Sequence, residues 1–134
     1  MDLKERNRQV IEQFRAGGEI DGMHRDRILL LTTTGKRTGN AHTTPVMFVR
    51  NDDRLFVVAA AGGTPTHPDW YHNLVATPDV TVEIGHGRYE ATATPLEGED
   101  YRAQWENITS RYAFFAEYDE KLSRTIPVVE LVRR

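Results

Sequence analysis

Four segments of the chain carry residue types suited to chemistry. Thr32-Thr33-Thr34-Gly35-Lys36-Arg37-Thr38-Gly39 sets two adjacent cations among hydroxyls and glycines. Cations, backbone amides and hydroxyl donors in one turn suit an anion such as a phosphate or carboxylate. His42 follows shortly after and offers a third donor, or is simply an exposed strand residue. Basic residues are also common in exposed turns, and spacing alone does not separate these readings. Val57-Val58-Ala59-Ala60-Ala61-Gly62-Gly63 shrinks from branched side chains to none. Such a strand lets a flat ring lie against peptide groups, or lets a neighbouring helix pack closely. His67-Pro68-Asp69-Trp70-Tyr71-His72-Asn73-Leu74 places a helix-starting proline before an aromatic pair. Trp70 and Leu74 at i and i+4 suit a core face, and Asn73 can cap or reach a ligand. In Tyr112-Ala113-Phe114-Phe115-Ala116-Glu117-Tyr118, three aromatics recur at every third residue. They can close over a flat substrate and present a phenol proton, or pack a buried helix.

Other chemistries find little support. The chain has no cysteine, which excludes disulfides, thiolate metal sites and a cysteine nucleophile. Gly35-Lys36 is not a phosphate-binding P-loop, because Arg37 stands where Ser or Thr is needed. Gly85 and Gly87 lack the third glycine of a dinucleotide fingerprint. No histidine pair has metal-ligand spacing, so no metal is expected. Ser110 and Ser123 lack the context of a nucleophile elbow, and Asn107-Ile108-Thr109 is read as a chance sequon.

These segments need a scaffold, and 134 residues suffice for one domain spanning 1–134. With 39% hydrophobic and 28% charged residues the composition is that of a globular protein. A net charge of −3 gives no general pull toward nucleic acid. Apolar runs such as Ile28–Leu31 are far shorter than the roughly 20 residues of a spanning helix. The first residues form no apolar leader, so a soluble, cytoplasmic protein is expected. Residues 2–16 predict an amphipathic helix with Leu3, Val10, Ile11 and Phe14 on one face, Asp2 and Glu5 as a capping pair, and a stop at Gly17-Gly18. Strands are expected at Arg27–Thr34, Ala41–Arg50, Arg54–Ala61, Val80–Ile84, Arg88–Pro95 and Pro127–Val132. Short helices are expected at Asp69–Ala76 and, as one or two pieces, Glu97–Leu122. Their connections are too short for crossover helices, so the six strands predict a small, mostly antiparallel α+β barrel.

The four segments, in this order, resemble the deazaflavin-dependent nitroreductase and quinone reductase family of actinobacterial reductases. LLTTTGKRTGNAHTTPVMFV, VVAAAGGTPTHPDWYHNL and RTIPVVEL carry the resemblance, over roughly residues 25–133. It implies a split β-barrel related to flavin-binding oxidoreductases, and the cofactor coenzyme F-420. It further implies that Lys36, Arg37 and Thr38 hold the phosphate and oligoglutamate tail. His42, Thr43, Thr44, Pro45, Val46 and Met47 would line the ribityl chain and a ring edge. Val58, Ala59, Ala60 and Ala61 would lie along the deazaflavin, and Asp69, Trp70, Tyr71, His72 and Asn73 would complete the pocket. Tyr112 and Tyr118 would orient or protonate the acceptor, with Phe115 and Ala60 beside it. Three positions depart from the family pattern: His42 replaces a frequent arginine, Ala60 a frequent serine, and Ala61 a lysine found in some members.

The implied reaction is hydride transfer from the reduced deazaflavin to a quinone, nitroaromatic or activated enone, with the cofactor carrying the chemistry. An FMN-dependent split-barrel reductase and a non-catalytic deazaflavin-binding protein are the alternatives. The expected partner is a small molecule, with no nucleic acid and no integral membrane segment. Peripheral membrane contact is compatible with the sequence, as is a monomer or a homodimer.

Overall fold

The computed structural model describes residues 2–60, 63–122 and 124–134. Six strands form one closed barrel in the order β1-β2-β3-β6-β5-β4: β1 (Ile28–Thr34), β2 (Ala41–Asn51), β3 (Arg54–Val58), β4 (Asp79–Ile84), β5 (Gly87–Pro95) and β6 (Val128–Arg133). Every neighbouring pair is antiparallel. Closure removes the open edges that would otherwise invite pairing with other chains.

The side-chain rows follow from the two-residue period of a strand. Leu29 and Leu31 of β1, Leu55 and Val57 of β3, and Val129 and Leu131 of β6 point inward with Val80, Val82, Ala91 and Ala93. Ile28 and Leu30 point outward and are covered by Val10 and Phe14 of the first helix, α1 (Leu3–Arg15). β1 is therefore buried on both faces, which is why it reads as a continuous apolar run rather than an alternation. On α1, Asp2 accepts a hydrogen bond from the Glu5 N–H at 2.8 Å, as the capping pair predicts. Leu3, expected on the buried face, is instead 75% exposed. It borders an open cleft rather than the core.

The C-terminal end of α1 is held firmly. Arg15 makes a two-pronged ion pair with the buried Glu83 of β4, at 3.0 and 2.9 Å. Arg25 donates to the carbonyls of Phe14 and Gly85 at 2.7 and 2.9 Å. The second helix, α2 (Asp69–Ala76), sends Trp70 and Leu74 into the interior cluster and closes one barrel end.

The segment expected as one or two helices is two, α3 (Gly98–Arg111) and α4 (Ala113–Lys121). Tyr112 leaves the helical region (φ −133°, ψ 86°); its N–H caps α3 on the Ile108 carbonyl while its own carbonyl accepts from Phe115 to begin α4. Tyr101, Trp105 and Ile108 of α3 cover the outer face of β3 and β6. Arg54 of β3 grips Asp100 and Glu130 together, fixing the start of α3 to the barrel. β3 itself stops at Val58, three residues before the expected end. The Ala59 N–H still donates to Pro127, but the Ala60 carbonyl accepts from Gly63 in a turn instead of continuing the ladder.

The Tyr101 hydroxyl donates to the Ile126 carbonyl at 2.6 Å. Burial, with the charge of Asp119 adding to it, pushes its pKa from the usual 10.0 up to about 12. The folded state thus keeps this proton where the unfolded chain loses it, so folding stability should fall as pH rises between those two values. Urea unfolding across that range should show the fall, and Tyr101→Phe should abolish it at a cost of about 1 kcal/mol at neutral pH.

Candidate functional site

The basic turn between β1 and β2 is built by its glycines and by α2. Gly35 continues the inward row of Leu29, Leu31 and Thr33, and it is buried at the barrel mouth. A Cβ at this position would stand 2.7 Å from the Thr38 hydroxyl and 2.8 Å from Nε2 of His42. Only glycine lets those two polar groups converge there. Gly39 turns the chain with φ +73°, and its N–H donates to the Gly35 carbonyl at 2.9 Å. Lys36 and Arg37 project from the loop so formed. Among the described residues neither has an ion-pair partner, and both are exposed.

Asn73 anchors that turn. It is 9% exposed, accepts from the Lys36 N–H at 3.0 Å, and donates to the Thr33 hydroxyl at 3.2 Å. The side chain offered by the sequence as a cap or ligand contact thus ties α2 to the basic loop. Behind it, Thr32 and Thr43 share a cross-strand hydroxyl bond of 2.8 Å.

A cleft of about 1450 Å³ opens beside this turn. It gathers Lys36, Arg37 and Thr38, then His42, Thr43 and Thr44 of β2, and Asp69, Trp70, His72 and Asn73 of α2. The remaining expected positions lie elsewhere. Pro45 is half-buried, Val46 belongs to the barrel interior, and Met47 packs toward α3 and α4. Ala59 is interior, while Val58 and Ala60 face the outer cluster under the last two helices. Ala61 lies outside the described residues. Tyr71 stacks obliquely on His67, 4.9 Å between centroids.

The aromatic segment is divided by the helix break. Phe115 is 5% exposed and packs among Trp105, Tyr112 and Tyr118, so its ring serves mainly the core. Phe114 is 40% exposed, Tyr112 and Tyr118 are half-buried, and none of them lines the cleft. Tyr118 instead lies against Gly63. A Cβ on Gly63 (φ +83°) would meet its ring at 2.8 Å.

Two contributions went unseen in the sequence. The cleft's far wall is α1, with Asp2, Leu3, Glu5, Arg8, Glu12 and Arg15. The charges on this helix read as a solvated face, and only the tertiary arrangement turns them toward the turn. Arg124 binds the Ala59 and Ala60 carbonyls and Nδ1 of His67. Because a guanidinium has no acceptor, His67 receives that bond through an unprotonated Nδ1. Burial, with the charges of Arg124 and His72 adding to it, lowers the His67 pKa and keeps the ring neutral.

Replacing Asn73 by leucine keeps the volume but strands the Lys36 N–H and the Thr33 hydroxyl. Asn73→Leu should cost about 2–4 kcal/mol in urea unfolding and speed amide exchange at Lys36. Asn73→Asp, which still accepts from Lys36, should lose less.

A family model described as F-420H(2)-dependent quinone reductase matches residues 4–132. An F-420H(2)-dependent quinone reductase of Mycobacterium tuberculosis is 43% identical over 112 residues, covering 79% of this chain and 73% of that protein. A solved structure described as an F-420-H2-dependent reductase is similar at TM-score 0.71 and 38% identity, covering 82% of this chain and 99% of the other. Another, described as a domain-swapped dimer, has TM-score 0.74 and 36% identity over 92% of this chain and 94% of its own. The closed antiparallel barrel, the anion-suited turn and these likenesses agree: the chain belongs to the F-420H(2)-dependent quinone reductase family and is an oxidoreductase that works with reduced coenzyme F-420.

Proposed function

We propose that this protein passes a hydride from reduced F-420 to a quinone or a similar conjugated acceptor, with the cofactor's anionic end on the Lys36–Thr38 turn. The observation that carries the placement is the pair of exposed cations at the cleft, beside the Thr38 hydroxyl and His42 Nε2 that converge over Gly35. This donor set fits a phosphate followed by carboxylates, because charge-assisted bonds gain most where the donors lack other partners.

The ring system lies along Val58–Ala60 in this reading. Ala60 is 4% exposed, and among the described residues its N–H has no acceptor. A buried backbone donor of that kind is rare unless a ligand supplies the missing oxygen or nitrogen. When bound, the reduced deazaflavin supplies the hydride, and the protein orients it. Tyr118, set against Gly63, is the phenol placed nearest that corner to hydrogen-bond the acceptor, and Tyr112 flanks it through Phe115.

No helix among the described residues is long and apolar enough to cross a membrane, and a cytoplasmic enzyme using a small-molecule acceptor fits that. The similar chain described as a domain-swapped dimer supports a homodimeric working form.

Mixing the purified protein with reduced F-420 and menadione should give oxidised cofactor, followed by its absorbance. Absence of both turnover and cofactor binding, across quinones, nitro compounds and enones, would overturn the reading. The double variant Lys36→Ala with Arg37→Ala should raise the F-420 dissociation constant at least about tenfold at low salt and flatten its salt dependence. An unchanged constant removes both residues from the site.

A further inference from the structure

Arg124 is neither in the cleft nor in a salt bridge among the described residues, yet its guanidinium is unusually occupied. Nη1 donates to the Ala59 carbonyl at 3.1 Å and to Nδ1 of His67 at 2.9 Å. Nη2 donates to the Ala60 carbonyl at 2.8 Å, and Nε to the Thr64 carbonyl at 3.2 Å. Four of the five donors of a guanidinium are thus committed to one corner of the chain. That corner lies just past the end of β3: the Ala59 N–H still donates to Pro127, but beyond it the ladder no longer holds the peptides. Ala59 and Ala60 are 0% and 4% exposed, which leaves their carbonyls dependent on internal donors.

We infer that Arg124 is a positioning residue for the deazaflavin ring: it sets the peptide planes at Ala59 and Ala60 and holds His67 as the tautomer protonated on Nε2. The inference rests on the ring lying along Val58–Ala60. A peptide unit is planar and trans, so a carbonyl aimed at Arg124 aims the following N–H the opposite way. Fixing the Ala59 carbonyl therefore fixes the direction of the Ala60 N–H, which has no acceptor among the described residues. Thr64 ties the loop after Gly63 to the same guanidinium, and Tyr118 packs on that loop. One planar group thus sets the ring side and steadies the acceptor side together. Lysine would not do the same, because an ammonium is a point donor and cannot serve several acceptors spread in one plane.

The test compares wild type, Arg124→Lys and Arg124→Ala by F-420 fluorescence titration, by kcat with menadione, and by the ¹⁵N spectrum of His67. Arg124→Lys should raise the F-420 dissociation constant at least fivefold and lower kcat. The slope of affinity against salt should stay unchanged, since the lost bonds go to peptide carbonyls rather than to the cofactor's charges. The wild-type His67 spectrum should show the Nε2-protonated tautomer, and the variant a mixture. Millimolar guanidinium should restore part of the affinity of Arg124→Ala, a rescue that a general loss of folding would not show. If Arg124→Ala does not fold, Arg124→Lys carries the comparison. Wild-type affinity and kcat in folded Arg124→Lys would overturn the inference, and so would weaker binding with a flattened salt slope. Failure of the wild type to bind F-420 would instead overturn the cofactor placement, and a His67 already protonated on Nδ1 would remove the Arg124 contact by itself.

Discussion

The barrel closes through a short seam, Leu30, Leu31 and Thr32 of β1 against Glu83, Val82 and Thr81 of β4. Much of the remaining structure depends on it. Because strand side chains alternate, a slip of one residue at this seam would turn Leu29 and Leu31 outward and expose the row that fills the interior. The same register carries Thr33 and Gly35 to the barrel mouth, where Asn73 of α2 meets them. Glu83, at the end of the seam, holds Arg15 and with it the base of α1. The basic turn, the α2 plug and the far wall of the cleft are therefore three consequences of one pairing.

Charge within the cleft is sorted rather than uniform. Glu5 and Glu12 on α1 are both engaged by Arg8. Lys36 and Arg37 stand without such partners among the described residues. Two adjacent cations without an ion-pair partner among the described residues therefore stand at the turn end, although the chain as a whole carries −3. An elongated ligand with one anionic end and one flat end would be oriented by that asymmetry before it makes any close contact.

Much of this was legible in the sequence, and the reasons differ by element. Alternation, the apolar run of β1 and turn residues located all six strands, since composition, period and glycine placement are local properties. The turn 35–40 was visible as an anion site because cations, glycines and hydroxyls are adjacent in the chain. The end of β3 was not, because no breaker precedes Gly62-Gly63 in the sequence, whereas in the fold the Ala60 carbonyl is taken by Gly63 and Arg124. Arg124 itself lies 60 to 65 residues from the carbonyls it binds, and no local pattern records such a contact. Leu3 was misplaced for a similar reason: helical periodicity gives a face, but not how far the surface beneath it extends. Family resemblance joined segments whose individual chemistry left each choice open.

The break at Tyr112 has a consequence for how such a protein can change. α3 is fastened to the barrel by Arg54, by the Asn51–Gln104 bond and by the Tyr101 hydroxyl. α4 restarts on its own hydrogen bond and sinks a single ring, Phe115, into the core. Tyr112 and the Phe115–Trp105 contact set where it starts, but its outward residues lie away from the wall behind them. If α4 faces the acceptor as proposed, acceptor preference and scaffold stability are carried largely by separate helices, so new substrate ranges can arise in the second with little change to the first.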